Sequence, residues 1–458
     1  MGNVVGRGLS HNHFPKMGIE GLKQFVRDLQ KELKLDGTPN QIINFYRTPE
    51  KVDVIIEDIM TRLYSLKHPD GTSCLTSKLT GREIFESVFY FYVDLIEINP
   101  NLDIVILADK PSLKPVEKTT TQRDRDQRWL FQNDMDGNPN EYYPDNVELV
   151  DEGLRFPDGH TEPIDMQRFM HTRAIRYKLF EYLYRTAQED DLWNECLRAR
   201  PHARVAIDIC DGQPAVACIP TQGWEQTKFQ AQYGEGDLAV FAWMKHLLQA
   251  CDRRHFSIVS TDSDMLLLSC LHFWDRGDVR VYWKSQERVY WDVRKFIDLL
   301  KKEYVMKTPF NLMIASICAG CDYFNQKVLR TITLNSNHSE HEPLFRGISA
   351  KSIFKLVMKG DAGCIHDLIG KCQQADIENE DGLIKLGRQV LQAMYGANCK
   401  PYRGLRLDRF SLEDVSRVYT KEPGRLKSKR IKYLSHEKTT SEKAARDFAF
   451  IFKYWLDV

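Results

Sequence analysis

Seven acidic residues carry the chemistry open to this chain: Asp58, Asp109, Glu235, Asp237, Asp262, Asp264 and Asp322. Four of them form two i,i+2 pairs, Glu235-Gly-Asp237 and Asp262-Ser-Asp264. A lone Asp after a strand is ordinarily a turn or helix-capping residue. Seven acids recurring at such positions ask for a further reason, because carboxylates brought close repel unless a proton or a metal intervenes. Mg²⁺ takes oxygen ligands and keeps several waters, so carboxylates hold it rather than His or Cys. Two such ions about 4 Å apart supply what phosphodiester hydrolysis needs, a nucleophilic water near neutral pH and stabilisation of the departing oxygen. The glycines of Gly234-Glu-Gly-Asp237 leave room for close approach. A helix start there favours negative charge.

Strand ends and helix starts must deliver these acids. Residues 52–56 read as a buried strand, residues 81–97 as an aromatic-rich helix, and residues 103–108 as a second strand ending at Asp109. Strand, helix and strand with acids at the carboxyl ends is the pattern of a parallel α/β sheet, whose sites lie outside those ends. Leu22, Phe25, Val26 and Leu29 form one face of an earlier helix opened by Met17-Gly-Ile-Glu-Gly. Residues 203–209 and 215–219 read as strands around an Asp211-Gly212 turn. Residues 235–250 read as a helix, and residues 255–260 as a core strand delivering Asp262 and Asp264. Between Asp109 and the strand at 203–209, residues 110–165 form a polar insertion too long for a plain loop, followed by helix over 166–198. From about residue 306 the pattern is mainly helical, up to the aromatic segment 448–455.

Charge is balanced over the whole 458-residue chain, so no global polyanion field exists, but its distribution is uneven. Residues 124–165 hold twelve Asp/Glu against three Arg. Residues 323–458 hold 24 Lys/Arg against 16 Asp/Glu, which hints at a phosphate-backbone partner. The longest apolar runs are short and interrupted, so no transmembrane helix is expected. The first residues lack the apolar core of a secretory leader, and Gly6 stands where a myristoylation signal needs Ser or Thr. Eleven scattered cysteines fit free thiols in a reducing compartment, nuclear or cytoplasmic. Cys318-x-x-Cys321 with His338 and His341 could sketch a zinc site, but the Cys–His gap is long and burial of the thiols is the stronger reading.

The set of motifs resembles the flap-endonuclease/XPG-like family of structure-specific 5′ nucleases, including its divergent members in large DNA viruses. The matching stretches are Met17-Gly-Ile-Glu-Gly-Leu22; Asp58 with Tyr64 six residues on; residues 104–109 followed by Lys-Pro; Gly234-Glu-Gly-Asp237; Ser260-Thr-Asp-Ser-Asp264; Gly320-Cys-Asp-Tyr323; and Gly347-Ile-Ser-Ala-Lys351. Each is weak alone; their order across residues 17–360 is specific. The resemblance implies a PIN/5′-nuclease-like α/β fold: a parallel sheet flanked by helices, with an arch insertion and a helical helix-two-turn-helix C-terminal region. It implies Mg²⁺-dependent cleavage of branched or flapped nucleic acid with a free 5′ end, in DNA replication, repair or recombination. Asp58, Asp109, Glu235 and Asp237 would gather around one Mg²⁺, and Asp262, Asp264 and Asp322 around the other, with Mn²⁺ as a substitute. Tyr64 would stack on a base. Arg123 would offset charge on the scissile phosphate, with Lys114 and Lys118 competing for a lysine role and Arg125 nearby. Gly347, Ser349, Lys351 and Lys355 would grip a duplex phosphate, with a K⁺ ion at the turn.

On this resemblance the chain divides into a disordered extension (1–16), the first part of the nuclease core (17–109), an arch or insertion (110–200), the second part of the core (201–305) and a helical nucleic-acid-binding region (306–458). Departures are equally visible. Residues 1–16 precede the Met17 motif, so Met17 is an alternative start. Glu57 precedes Asp58, and Asp53 is a rival first ligand. Asp237 replaces the family's usual glutamate. The insertion is acidic where the family's arch is basic, and no PCNA-binding box is seen. A monomer is expected. Two alternatives remain open: an RNA-degrading nuclease on the same scaffold, and a catalytically silent adaptor that keeps the fold.

Overall fold

β-Branched runs bounded by acids build the centre of this molecule. The structure is a computed structural model that describes residues 19, 21–45, 51–68, 70–113, 146–286, 288–321, 350–359, 363–398 and 441–456. The chain begins with α1 (Leu22–Glu32), edge strand β1 (Ile43–Phe45), β2 (Val54–Asp58), α2 (Ile59–Tyr64), β3 (Lys78–Leu79), α3 (Gly81–Ile98) and β4 (Asp103–Leu107). Short strands follow: β5 (Glu148–Val150), β6 (Gly153–Arg155), β7 (Thr161–Glu162) and β8 (Ile164–Asp165). Helices α4 (Met166–His171), α5 (Arg173–Glu189) and α6 (Asp191–Arg198) lead to β9 (Arg204–Asp208), β10 (Val216–Ile219) and β11 (Gly223–Gln226). Then come α7 (Gly236–Ala250), β12 (His255–Val259), α8 (Asp264–Phe273), β13 (Arg280–Gln286), β14 (Val289–Asp292) and α9 (Val293–Glu303). The remaining helices are α10 (Phe310–Ala319), α11 (Ala350–Lys359), α12 (Gly363–Gln373), α13 (Glu380–Asn398) and α14 (Ser441–Leu456).

The main sheet has nine strands in the order β1-β14-β13-β12-β2-β4-β9-β10-β11. The five central strands, β13 to β9, run parallel. Antiparallel strands flank them on both edges, so the sheet is mixed rather than wholly parallel. The reason is local: strands joined by tight turns can only pair antiparallel, whereas parallel neighbours need a crossover. Strand alternation splits the core into two. Val54, Ile56, Val105, Leu107, Phe256 and Ile258 face α1, α7, α8 and the later helices, while Ile104, Ile106, Val205 and Ile207 face α2, α3, α5 and α6. Strands covered on both faces read as near-continuous apolar runs, and these do.

Part of the insertion is folded. Within residues 146–165, where no strand was read from the sequence, lies the three-stranded sheet β5-β6-β7, while β8 pairs with β3. Their acids are partly spent internally: the Tyr182 hydroxyl donates to Asp151 Oδ1 at 2.7 Å, and Arg155 lies 3.5 Å from Glu148. Strands of two or three residues offer too little alternation to be read from sequence. The rest of the acidic stretch, and the extension 1–16, lie outside the described residues. Among the described residues no helix is long and apolar enough to cross a membrane.

The two ends of the sheet treat acids differently. At the amino ends, Asp103 accepts from Arg253 at 2.8 Å and Arg204 at 3.3 Å. Asp53 accepts from the His255 backbone N–H at 3.1 Å and lies 3.0 Å from its Nδ1. The rival first ligand Asp53 is thus tied down at the end of β2 away from Asp58. At the carboxyl ends, register aligns Asp58 with Leu107, and Leu107 with Asp208. Asp208 is buried against Lys110 in an ion pair and accepts from Trp243 Nε1 at 2.9 Å. The Lys110 backbone N–H donates to Gly234 O at 2.8 Å, so one residue joins the loop after β4 to the start of α7. Removing one partner of a buried pair strands the other charge. Lys110→Met is therefore expected to lower stability by about 3–5 kcal/mol, read as a shift of the urea midpoint; an unmoved midpoint would show that the pair holds nothing.

Candidate metal centre

The turn between β12 and α8 presents two carboxylates by bonding to itself. Ser260 Oγ accepts from the Asp262 N–H at 3.1 Å, and Asp262 Oδ1 accepts from the Asp264 N–H at 3.0 Å. Ser260, Asp262, Ser263 and Asp264 are all buried. The turn is clamped from outside as well. Trp283 Nε1 donates to Ser260 O at 2.8 Å, Lys23 Nζ donates to Thr261 O at 2.8 Å, and Ser263 Oγ donates to Ile19 O at 3.3 Å.

Asp237, in the first turn of α7, reaches this turn from the neighbouring element. Carboxylate oxygens of Asp237, Asp262 and Asp264 all lie within 4.8 Å of one another. Among the described residues this is the group able to hold a metal ion. The donor set is all carboxylate oxygen, which suits a hard divalent cation such as Mg²⁺ or Mn²⁺ and not zinc. Asp262 and Asp264 are buried while Asp237 is half-buried.

The acids of β2 and β4 stand beside it. Asp58 caps α2 through the Met60 N–H at 2.9 Å. Its carboxyl is pushed up to about 7, first by burial and then by the charge of Asp109, with Glu57 and Asp262 adding to it. Asp109 Oδ1 accepts from the Gly236 N–H at 2.9 Å, and a Cβ added at Gly236 would stand 3.6 Å from that oxygen. Glu235 is buried at the cap of α7. The carboxylate of Asp237, expected beside Asp58, Asp109 and Glu235, also comes within 4.8 Å of Asp262 and Asp264. Asp58 lies in the field of both Asp109 and Asp262. Asp322 lies outside the described residues.

Of the other expected residues, Tyr64 ends α2 and is half-buried against the core that α3 covers. Lys351 and Lys355 are exposed one turn apart on α11. Lys351 Nζ is 2.7 Å from Asp28 of α1, an exposed pair of small energetic weight. Lys114, Lys118, Arg123, Arg125, Gly347 and Ser349 lie outside the described residues. Cys318 and Cys321 are buried thiols, Cys318 held protonated by that burial; His338 and His341 lie outside the described residues.

Three features were missed in the sequence. Glu57, awkward for a strand interior, is buried in an ion pair with Arg62 at 2.8 Å, and the Arg62 guanidinium lies 3.4 Å over the Phe91 ring. An i,i+5 Glu–Arg spacing across a strand–helix junction has no distinctive signature. Lys23 lies half-buried among the acids; burial depresses its pKa, while Asp262 and Asp264 favour its charged form. Tyr177 of α5 lies in the field of Asp109 and of its own helix neighbours Arg173 and Arg176: its hydroxyl is pushed up to about 12, by burial first, with Arg176, Asp109, Arg173 and Asp211 all acting on it. An i,i+3 arginine pair opening the first long helix after the insertion was the readable signal.

The crowding of Asp58 has a thermodynamic consequence. A carboxyl raised from 3.8 to about 7 keeps its proton in the fold at pH values where the unfolded chain has lost it. Its contribution to stability is complete below the lower value and is lost as pH rises through the higher one. In EDTA the melting temperature should fall across that window, and Asp58→Asn should flatten the fall. Above it, Mg²⁺ should raise the melting temperature by binding the folded state alone. A profile identical in wild type and Asp58→Asn would rule out the compressed cluster. Comparison of the chain with protein-family models finds no match, and comparison with curated proteins finds none either.

Proposed function

We propose that this protein is a divalent-metal-dependent phosphodiesterase of the 5′ nuclease kind, acting on flapped or branched DNA. The observation that carries the reading is the convergence of Asp237, Asp262 and Asp264 within 4.8 Å at the carboxyl ends of parallel strands. The site of an open α/β sheet belongs there. A sheet with five central parallel strands, flanked by helices, is compatible with a PIN/5′-nuclease-like fold. The arch insertion and the helix-two-turn-helix are parts of the same proposal.

In this reading Asp237, Asp262 and Asp264 hold one Mg²⁺, and Asp58, Asp109, Glu235 and Asp322 complete a second position. Such ions, when bound, supply an ionised water near neutral pH and stabilise the departing oxygen. The protein's own task is orientation. Ser260 fixes Asp262, Asp262 fixes the Asp264 backbone, and the Gly236 N–H fixes Asp109. Arg173 and Arg176, which share with Asp109 the neighbourhood of Tyr177, would supply positive charge to a phosphate there. Lys351 and Lys355 offer sequence-blind contacts to a duplex backbone, and Tyr64 an aromatic face for a base.

The test is cleavage of matched 5′-flap oligonucleotides in DNA and RNA with Mg²⁺. Asp262→Asn and Asp264→Asn should keep the circular dichroism of the wild type and lower the rate by more than about a hundredfold, beyond the 10–100-fold typical of residues that merely support ligands. Retained turnover in either variant refutes the assignment. Preferential cleavage of the RNA flap would move the substrate to RNA. Wild-type protein that neither cleaves nor binds Mn²⁺ would be the silent adaptor.

A further inference from the structure

We infer that Lys23 is a positioning residue of the metal centre, setting the turn that carries Asp262 and Asp264; the inference rests on the metal-binding reading above. The turn hangs between β12 and α8, and its two peptide carbonyls before Asp262 are held from one side. Trp283 Nε1 donates to Ser260 O, and Lys23 Nζ donates to Thr261 O, each at 2.8 Å. The two donors touch: the Lys23 ammonium lies 5.0 Å from the centroid of the Trp283 indole. Successive carbonyls are thus fixed by one stacked pair, which sets the peptide plane feeding Asp262.

Such a donor works only from a rigid base, and α1 is one. Leu22, Val26 and Leu29 are buried in the main core. At the far end of the helix, Gln30 Oε1 accepts from the Ile42 and Ile43 N–H groups at 2.9 and 2.7 Å, tying it to edge strand β1. At the near end, Gly21 has φ 78°, and a Cβ there would meet Ala350 Cβ at 2.7 Å, so a glycine lets α1 seat against α11. Ser263 adds a second tie from the turn, to Ile19 O.

Charge and geometry predict opposite effects, which makes the idea decidable. As a mere cation near the acids, Lys23 would repel Mg²⁺, and its removal would tighten metal binding. As a clamp on Thr261 O, its removal lets the two like-charged carboxylates swing apart and weakens metal binding. Lys23→Met keeps the aliphatic stem on Trp283 and deletes the donor; Lys23→Arg keeps both donor and charge. Mn²⁺ binding, followed by the loss of its free-ion EPR signal, should weaken about tenfold in Lys23→Met and recover in Lys23→Arg. On a DNA flap, the Mg²⁺ concentration for half-maximal rate should rise to match, with the rate at saturating Mg²⁺ nearly kept, a pattern that simple destabilisation would not give. Should Lys23→Met fold poorly, Lys23→Gln takes its place: losing the charge would tighten Mn²⁺ binding on the mere-cation view, whereas its shorter side chain, out of reach of Thr261 O, weakens binding on the clamp view. Equal or tighter binding by folded Lys23→Met overturns the role of Lys23 and leaves the centre standing. Wild-type protein that binds Mn²⁺ no better than Asp264→Asn overturns both.

Discussion

Repulsion between carboxylates is the constraint on which this structure turns. Asp58, Asp109, Asp237, Asp262 and Asp264 are drawn to one end of the sheet, and three of them approach within 4.8 Å. Like charges at such spacing oppose folding unless something offsets them. Three nearby cations are already engaged. Lys110 is taken by Asp208, Arg62 by Glu57, and Lys23 donates to a backbone carbonyl. Burial first, and then the charge of Asp109, raises the Asp58 carboxyl to about 7, and a proton there offsets part of the repulsion. A divalent cation is the other offset, and on the nuclease reading it is the functional one.

Parallel register makes the crowding unavoidable. Each central strand enters from the same end, so whatever follows the last apolar residue arrives at the same pole. Asp58 closes β2, Asp109 follows β4 by two residues, and Asp262 follows β12 by three. Asp208 closes β9 at the same level, yet serves structure, because Lys110 and the Trp243 indole satisfy it in a buried setting. The contrast shows how little residue type alone decides. On the nuclease reading, the same acid at the same height would be a ligand or a strut according to what faces it. The opposite pole, where Arg253, Arg204 and His255 meet Asp103 and Asp53, shows the arrangement an acid adopts when ion pairing is the whole of its task.

How much of this was legible follows from the length scale of each signal. The central strands β2, β4, β9 and β12 and the helices 81–98 and 236–250 were readable, since their apolar periodicity runs over five or more residues; β13 was not read. The Asp262-Ser-Asp264 and Glu235-Gly-Asp237 pairs were readable because local spacing commits both acids to one turn. Their grouping was not, because which carboxylates meet depends on the angle between α7 and α8, and no local pattern encodes it. Glu57 looked anomalous since its partner Arg62 becomes visible only once α2 folds back beside β2. Residues 148–165 hid their strands in runs of two and three. Lys23 gave no sign, since its carbonyl partner lies 238 residues away.

That distant contact changes how α1 is understood. One end of the helix holds the Thr261 carbonyl through Lys23. Its middle stacks Phe25 on Phe354 of α11, with ring centroids 5.1 Å apart, and Asp28 meets Lys351 of the same helix. At 1.5 Å per residue, the span from Lys23 to Asp28 is about 8 Å. If α11 grips a duplex phosphate, that short rigid rod sets the separation between the gripped phosphate and the hydrolysed one. A flexible connection would let the metal turn meet phosphodiesters at many offsets. A rod packed into the main core permits few, so selectivity for the place of cleavage would follow from packing and need no recognition of base sequence.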